Sequence, residues 1–157
     1  MALTAAIAAA IIGGSFLIWL IPPQGSTSNI TPPMTEEDRI SEVYSSHHNI
    51  AIGIDSEYDQ WKKGNTTTNE LVNLIDRDRS QIQNMKNELT NPMPAQEWQQ
   101  SFNAYIKALD EYTKYVNIME TNVQTGNKTN VNSELDSLRQ QWQGYVNDSV
   151  NAVPLSK

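Results

Sequence analysis

The sequence predicts an all-α protein: an N-terminal single transmembrane helix, an extended stalk, and an antiparallel up-down-up-down four-helix bundle with heptad seams. Three observations carry that expectation. Ala2 to Ile21 contains no charged residue, and about 20 helical residues at 1.5 Å each span the hydrocarbon core of a bilayer. The stretch that follows has two Pro-Pro pairs and no apolar period. Beyond Thr35, apolar residues recur at steps of four and three in four runs separated by turn residues, with none of the period-two alternation of a strand. The expected division is an anchor at 1–22, a Pro/Ser/Thr-rich stalk at 23–35, a bundle at 36–152 and a tail at 153–157.

The anchor is read as retained. A secretory signal has a basic start and a shorter apolar run, whereas this run begins at residue 2 with no Lys or Arg. Trp19 stands at the expected interface, and Pro22 and Pro23 stop the helix. Small residues fall every fourth position in two rows, Ala5-Ala9-Gly13 and Ala6-Ala10-Gly14, forming a face on which another membrane helix can approach closely. The N-x-S/T sequons at Asn29, Asn65, Asn127 and Asn147 are candidate glycosylation sites and favour an extracytoplasmic bundle. The charge pattern gives no orientation of its own, because the first basic residue is Arg39. The stalk, at 3.1 Å per extended residue, spans up to about 40 Å.

The first helix is expected at about 36–63. Thr35 can cap it, and Glu36, Glu37 and Asp38 suit the positive end of the helix dipole. Ile40, Tyr44, His47, Ala51, Ile54, Tyr58 and Trp61 form its seam, and Gly64 ends it. The second, at about 68–90, opens on the capping box Thr67-x-x-Glu70 and carries Leu71, Ile75, Asp78, Ile82, Met85 and Leu89. The third, at about 95–125, has the strongest seam: Trp98, Phe102, Tyr105, Leu109, Tyr112, Val116, Met119 and Val123, closed by Gly126. The fourth, at about 130–151, carries Val131, Leu135, Leu138, Trp142 and Tyr145. Short connections place successive helices side by side and antiparallel.

Pairing residues equally distant from each turn puts Trp61, Leu71, Tyr112 and Trp142 in one layer, and Ile54, Asp78 and Tyr105 in another. His47 then lies level with Met85 and Trp98. The same pairing leaves the end of the third helix and the start of the fourth overhanging, so that Met119, Val123, Val131 and Leu135 form an exposed apolar edge for a protein partner, unless the first turn folds over it.

Several function classes are set aside by composition. A net charge of −7 with no helical stripe of Lys and Arg repels a phosphate backbone, so nucleic acid is not an expected partner. The absence of cysteine excludes thiolate metal sites and Cys nucleophiles. Di-iron bundles need Glu three residues before His, and Tyr44 and Ser45 precede His47 and His48. No cofactor, metal or catalytic set is expected. His47 and Asp78 are read as satisfied polar contacts within the core, and the aromatic seam residues as core rather than pocket lining.

The function expected is that of a non-catalytic, membrane-anchored extracytoplasmic helical domain acting through protein contacts, as an accessory subunit of a membrane complex or a cell-surface component. In plan the chain also resembles the extracytoplasmic sensor bundles of membrane receptors. That resemblance implies, as the alternative, a ligand-sensing four-helix bundle working with a separate signalling partner.

Overall fold

The structure, a computed structural model, describes residues 34–128 and 132–154. The expected anchor with both small-residue rows, the stalk up to Pro33, Asn29 and Val131 lie outside the described residues. Among the described residues no helix is long and apolar enough to cross a membrane. They form a four-helix bundle: α1 (Glu36–Lys63), α2 (Thr68–Thr90), α3 (Gln99–Thr125) and α4 (Asn132–Asn151), with a 3₁₀ turn at Gln96–Trp98 before α3.

The helix ends follow from local chemistry. The Thr35 hydroxyl accepts from the Asp38 amide at 3.1 Å while the Asp38 carboxylate accepts from the Thr35 amide at 3.0 Å. Thr67 and Glu70 repeat this box at the start of α2. Each box satisfies two amides that a helix start leaves without intrahelical partners. Gly64 and Gly126 stop α1 and α3 in the left-handed region, at φ 82° and 67°, where a side chain is strained.

Contacts run in opposite directions along successive helices. Trp61 Nε1 donates to the Thr68 hydroxyl at 3.2 Å beside the first turn, while Arg39 reaches the Glu88 carbonyl at the far end. Lys86 pairs with Asp110 and Arg79 with Glu120 across α2 and α3. Ser101 meets Ser149, and Tyr115 meets Arg139, across α3 and α4.

The seams of α1, α2 and α3 are the core. Phe102, Tyr105, Tyr112 and Tyr115 are the largest aromatic side chains fully enclosed, and burying an apolar side chain of this size contributes about 1.5–3 kcal/mol. In α4 the buried side is turned from the expected seam: Leu135, Val146 and Ser149 are buried, and Tyr145 is only half-buried. The cause is a close approach near its C-terminal end, where the Ser101 hydroxyl donates to the Ser149 carbonyl at 2.9 Å. Two small residues let the backbones come near enough for that bond, which brings the Val146 and Ser149 side against α3.

The layer pairing is corrected by the structure. Hydrogen bonds between α1 and α3 join residues 58 to 64 apart, whereas Trp61 with Tyr112 assumed 51 (112 minus 61). His47 sits against Tyr105 and Tyr112, not level with Trp98, whose neighbour is Phe102 under the Arg39 guanidinium. The reason is the second connection. The chain spends eight residues between Thr90 and Gln99, held by Arg39 donating to the Pro92 carbonyl at 2.8 Å and by the Ala95 amide donating to Glu36 at 3.0 Å. A tight turn would have started α3 earlier.

That shift removes the overhang. The C-terminal end of α3 lies beside that of α1, with Asn122 donating to the Tyr58 hydroxyl at 3.3 Å and Lys128 set 5.1 Å over the Trp61 ring. Met119 and Val123 are 1 % exposed and Leu135 5 %. Among the described residues the expected exposed apolar edge is therefore absent, since Met119, Val123 and Leu135 are enclosed.

Candidate functional site

Where α1, α3 and α4 meet, the bundle encloses His47 together with Tyr105, Tyr112 and Trp142. The α1 heptad points His47 inward, and its Nδ1 lies 3.0 Å from the Tyr105 hydroxyl. The imidazole is also 4.5 Å, centroid to centroid, from Tyr112 and 5.2 Å from Trp142, which are themselves 5.5 Å apart. Three buried polar atoms in this box, His47 Nε2, Tyr112 Oη and Trp142 Nε1, have no hydrogen-bond partner among the described residues. Leaving such a group unsatisfied costs about 1–3 kcal/mol, so a core holding three together is unusual.

Burial sets the electrostatics of the box. Desolvation, with a smaller contribution from the charge of His48, lowers the His47 pKa to about 3, so its imidazole is neutral at pH 7. Burial raises the Tyr105 phenol well above its ordinary value and likewise raises Tyr112, which the nearby Asp55 carboxylate pushes up further. Tyr44 is also raised by burial, and its ring stacks on His48 at 6.2 Å.

One turn along, a second polar cluster bridges the same three helices. Tyr115 donates to Asp55 at 2.6 Å, and Arg139 donates to Asp55 at 3.0 Å and also to the Tyr115 hydroxyl. The guanidinium stands 5.3 Å over the Tyr115 ring. Desolvation is the main cause that raises Tyr115, with its bond to Asp55 next.

The remaining sequence candidates are dispersed. Asp78 is buried as expected for a polar contact, but its partner is Arg77 at 3.0 Å rather than Tyr105. Gly53, inside α1, has open space beside it, since a Cβ there would meet nothing within 4 Å. Asn65 is exposed after α1, its amide donating to Gln60 at 2.8 Å. Asn147 is exposed on α4, and Asn127 is half-buried after α3. An open groove of about 820 Å³ runs between α2 and α3 and past Tyr145 of α4, lined by Arg79, Lys86, Lys107, Asp110 and Lys114 among others. Its cations are engaged: Lys86 with Asp110, Lys114 with Glu111, Arg79 with Asp76 and Glu120, and Lys107 over the Tyr145 ring. It is not a ready anion cradle. Among the described residues no group of three or more His, Cys, Asp or Glu could hold a metal ion.

Sequence reasoning missed the Asp55–Tyr115–Arg139 cluster. Each member sits one position beside a seam residue, next to Ile54, Val116 and Leu138. Seam-flanking positions are where interhelical charge pairs form, and that was the available signal. Comparison with protein-family models, with curated proteins and with solved structures returned no match.

Proposed function

We propose that this chain is a non-catalytic, membrane-anchored helical domain, carried on the extracytoplasmic side of the bilayer and acting through a protein partner in or on the membrane. The observation that carries the reading is the uncharged run Ala2–Ile21 with its two small-residue rows, joined to a bundle whose apolar seams are spent on its own core. With Met119, Val123 and Leu135 enclosed, the rows Ala5-Ala9-Gly13 and Ala6-Ala10-Gly14 become the contact face. The sequons support the sidedness: Asn65 and Asn147 are exposed where a glycan could be attached.

The chain has no cysteine, so single-cysteine variants give clean cross-linking. Ala9→Cys and Gly13→Cys are expected to form an adduct to one partner in native membranes, and Ile11→Cys, on the opposite side of the helix, is not. Equal adducts from all three positions, or none from any, would sink the contact reading.

A second reading, ligand sensing with a separate signalling partner, is favoured by one feature: the three polar atoms of His47, Tyr112 and Trp142 that the protein leaves unsatisfied. A small polar molecule that binds there would raise the thermal midpoint of the wild-type domain and not that of His47→Phe. A screen in which every hit stabilises both proteins alike counts against it.

A further inference from the structure

Three of the helix pairs pack closely along their length: α1 with α2, α2 with α3, and α3 with α4, the last most closely of all. The fourth side of the bundle differs. There α1 meets α4 through side chains that reach across, Trp142 onto His47 and Arg139 onto Asp55. His47 is the one imidazole within this closure, 1 % exposed, and the polar atoms around it are the ones that lack partners. We propose that the α1–α4 seam is an acid-responsive joint, opened when His47 takes up a proton and so uncovering the Tyr112–Trp142 face of α3 and α4.

The groups that face His47 decide the direction. From its own helix the charge acting on it is that of His48, which disfavours a second cation. From α3 it meets the neutral phenols of Tyr105 and Tyr112, and from α4 the uncharged indole of Trp142. The Asp78 carboxylate of α2 and the Asp55 carboxylate of α1 act on Tyr112, and Asp55 is already engaged by Arg139 and Tyr115. Nothing in the closed seam compensates an imidazolium. The pKa of His47 is about 3 when closed and about 6.5 when open to water. The closed form therefore binds fewer protons. Its advantage is complete above about pH 6.5 and is lost as the pH falls toward 3, by about tenfold in the open population per pH unit.

The other pairs do not share this sensitivity across the upper part of the window. Ser101–Ser149 carries no titrating group, and the pairs Lys86–Asp110 and Arg79–Glu120 join α2 to α3 rather than α1 to α4. Between about pH 6 and 4.5 the population in which α1 has parted from α4 should rise while α3 stays folded. This holds whether or not the domain has a partner.

The test is hydrogen exchange of the full chain in mild detergent from pH 7 to 4.5, with rates corrected for intrinsic pH dependence. Peptides from α1 are expected to show an open population rising about tenfold per pH unit below about 6, while α3 peptides keep their protection. His47→Gln and His47→Phe should abolish that dependence, and His48→Gln should retain it. Constant α1 protection, simultaneous loss in every helix, or a dependence that survives both His47 variants overturns the proposal. So does an imidazole nitrogen spectrum of the wild-type chain that shows a protonated His47 while α1 remains closed.

Discussion

Nδ1 of His47 and the hydroxyl of Tyr105 lie 3.0 Å apart in the middle of the bundle, joining the first helix to the third through a bond that water does not reach. Removing one side of such a pair strands the other, which costs more than the bond itself contributes. Tyr105→Phe is expected to lower stability by about 1–3 kcal/mol, measured by denaturant unfolding. An unchanged midpoint would mean that His47 finds another partner.

Leu135→Asp is expected to unfold the bundle, and Val123→Asp to do the same, because both side chains are enclosed and an unpaired buried charge has no compensation. Leu135→Ala should cost about 2–5 kcal/mol. Circular dichroism separates the outcomes. Full helicity in either Asp variant would restore the idea of an exposed edge at this end.

These residues show what the sequence disclosed and what it did not. Caps, turns and the seams of α1, α2 and α3 were legible because they depend on neighbours in the chain: Thr35 with Asp38, Thr67 with Glu70, Gly64 and Gly126 after their helices. Register was not, because it depends on how much chain the second connection uses, and Pro92 and Pro94 gave no measure of that length. The same gap hid the partner of His47. Its inward position followed from the heptad, but Tyr105 could be named only once α3 was correctly placed beside α1.

Gly53→Ala is expected to stabilise the domain by about 0.5–1 kcal/mol, since it removes backbone entropy from a helix interior and the added Cβ meets nothing within 4 Å. Gly64→Ala should act in the opposite direction, as its φ of 82° strains any side chain. Paired thermal melts check both signs.

Asp55→Asn removes the charge that Arg139 and Tyr115 share. Because Asp55 and Arg139 side chains are 35 % and 37 % exposed, the ion pair is partly screened and contributes at most about 1 kcal/mol. A double-mutant cycle with Arg139→Met should return a coupling of about that size. A coupling of zero would leave Trp142 as the main contact between α1 and α4.

Alkaline titration has a sign of its own. Tyr105, Tyr112 and Tyr115 are each raised above the ordinary phenol range, chiefly by burial. A raised phenol keeps its stabilising effect below about pH 10 and loses it as the pH climbs. Phenolate absorbance from these residues should therefore appear late and together, coincident with loss of helicity. Early, gradual ionisation of all the tyrosines would contradict their burial.

The bond from Ser101 to the Ser149 carbonyl has a consequence for the making of the protein. Of the four helices, α4 leaves the ribosome last, and until it does the small-residue flank of α3 has nothing to close on. At about 5–20 residues per second, the interval between Tyr112 and Trp142 lasts a few seconds, during which His47 is still wetted. The nascent domain is thus held incomplete until its last helix arrives, and a chain stopped before that point leaves the Ser101 flank of α3 open to water.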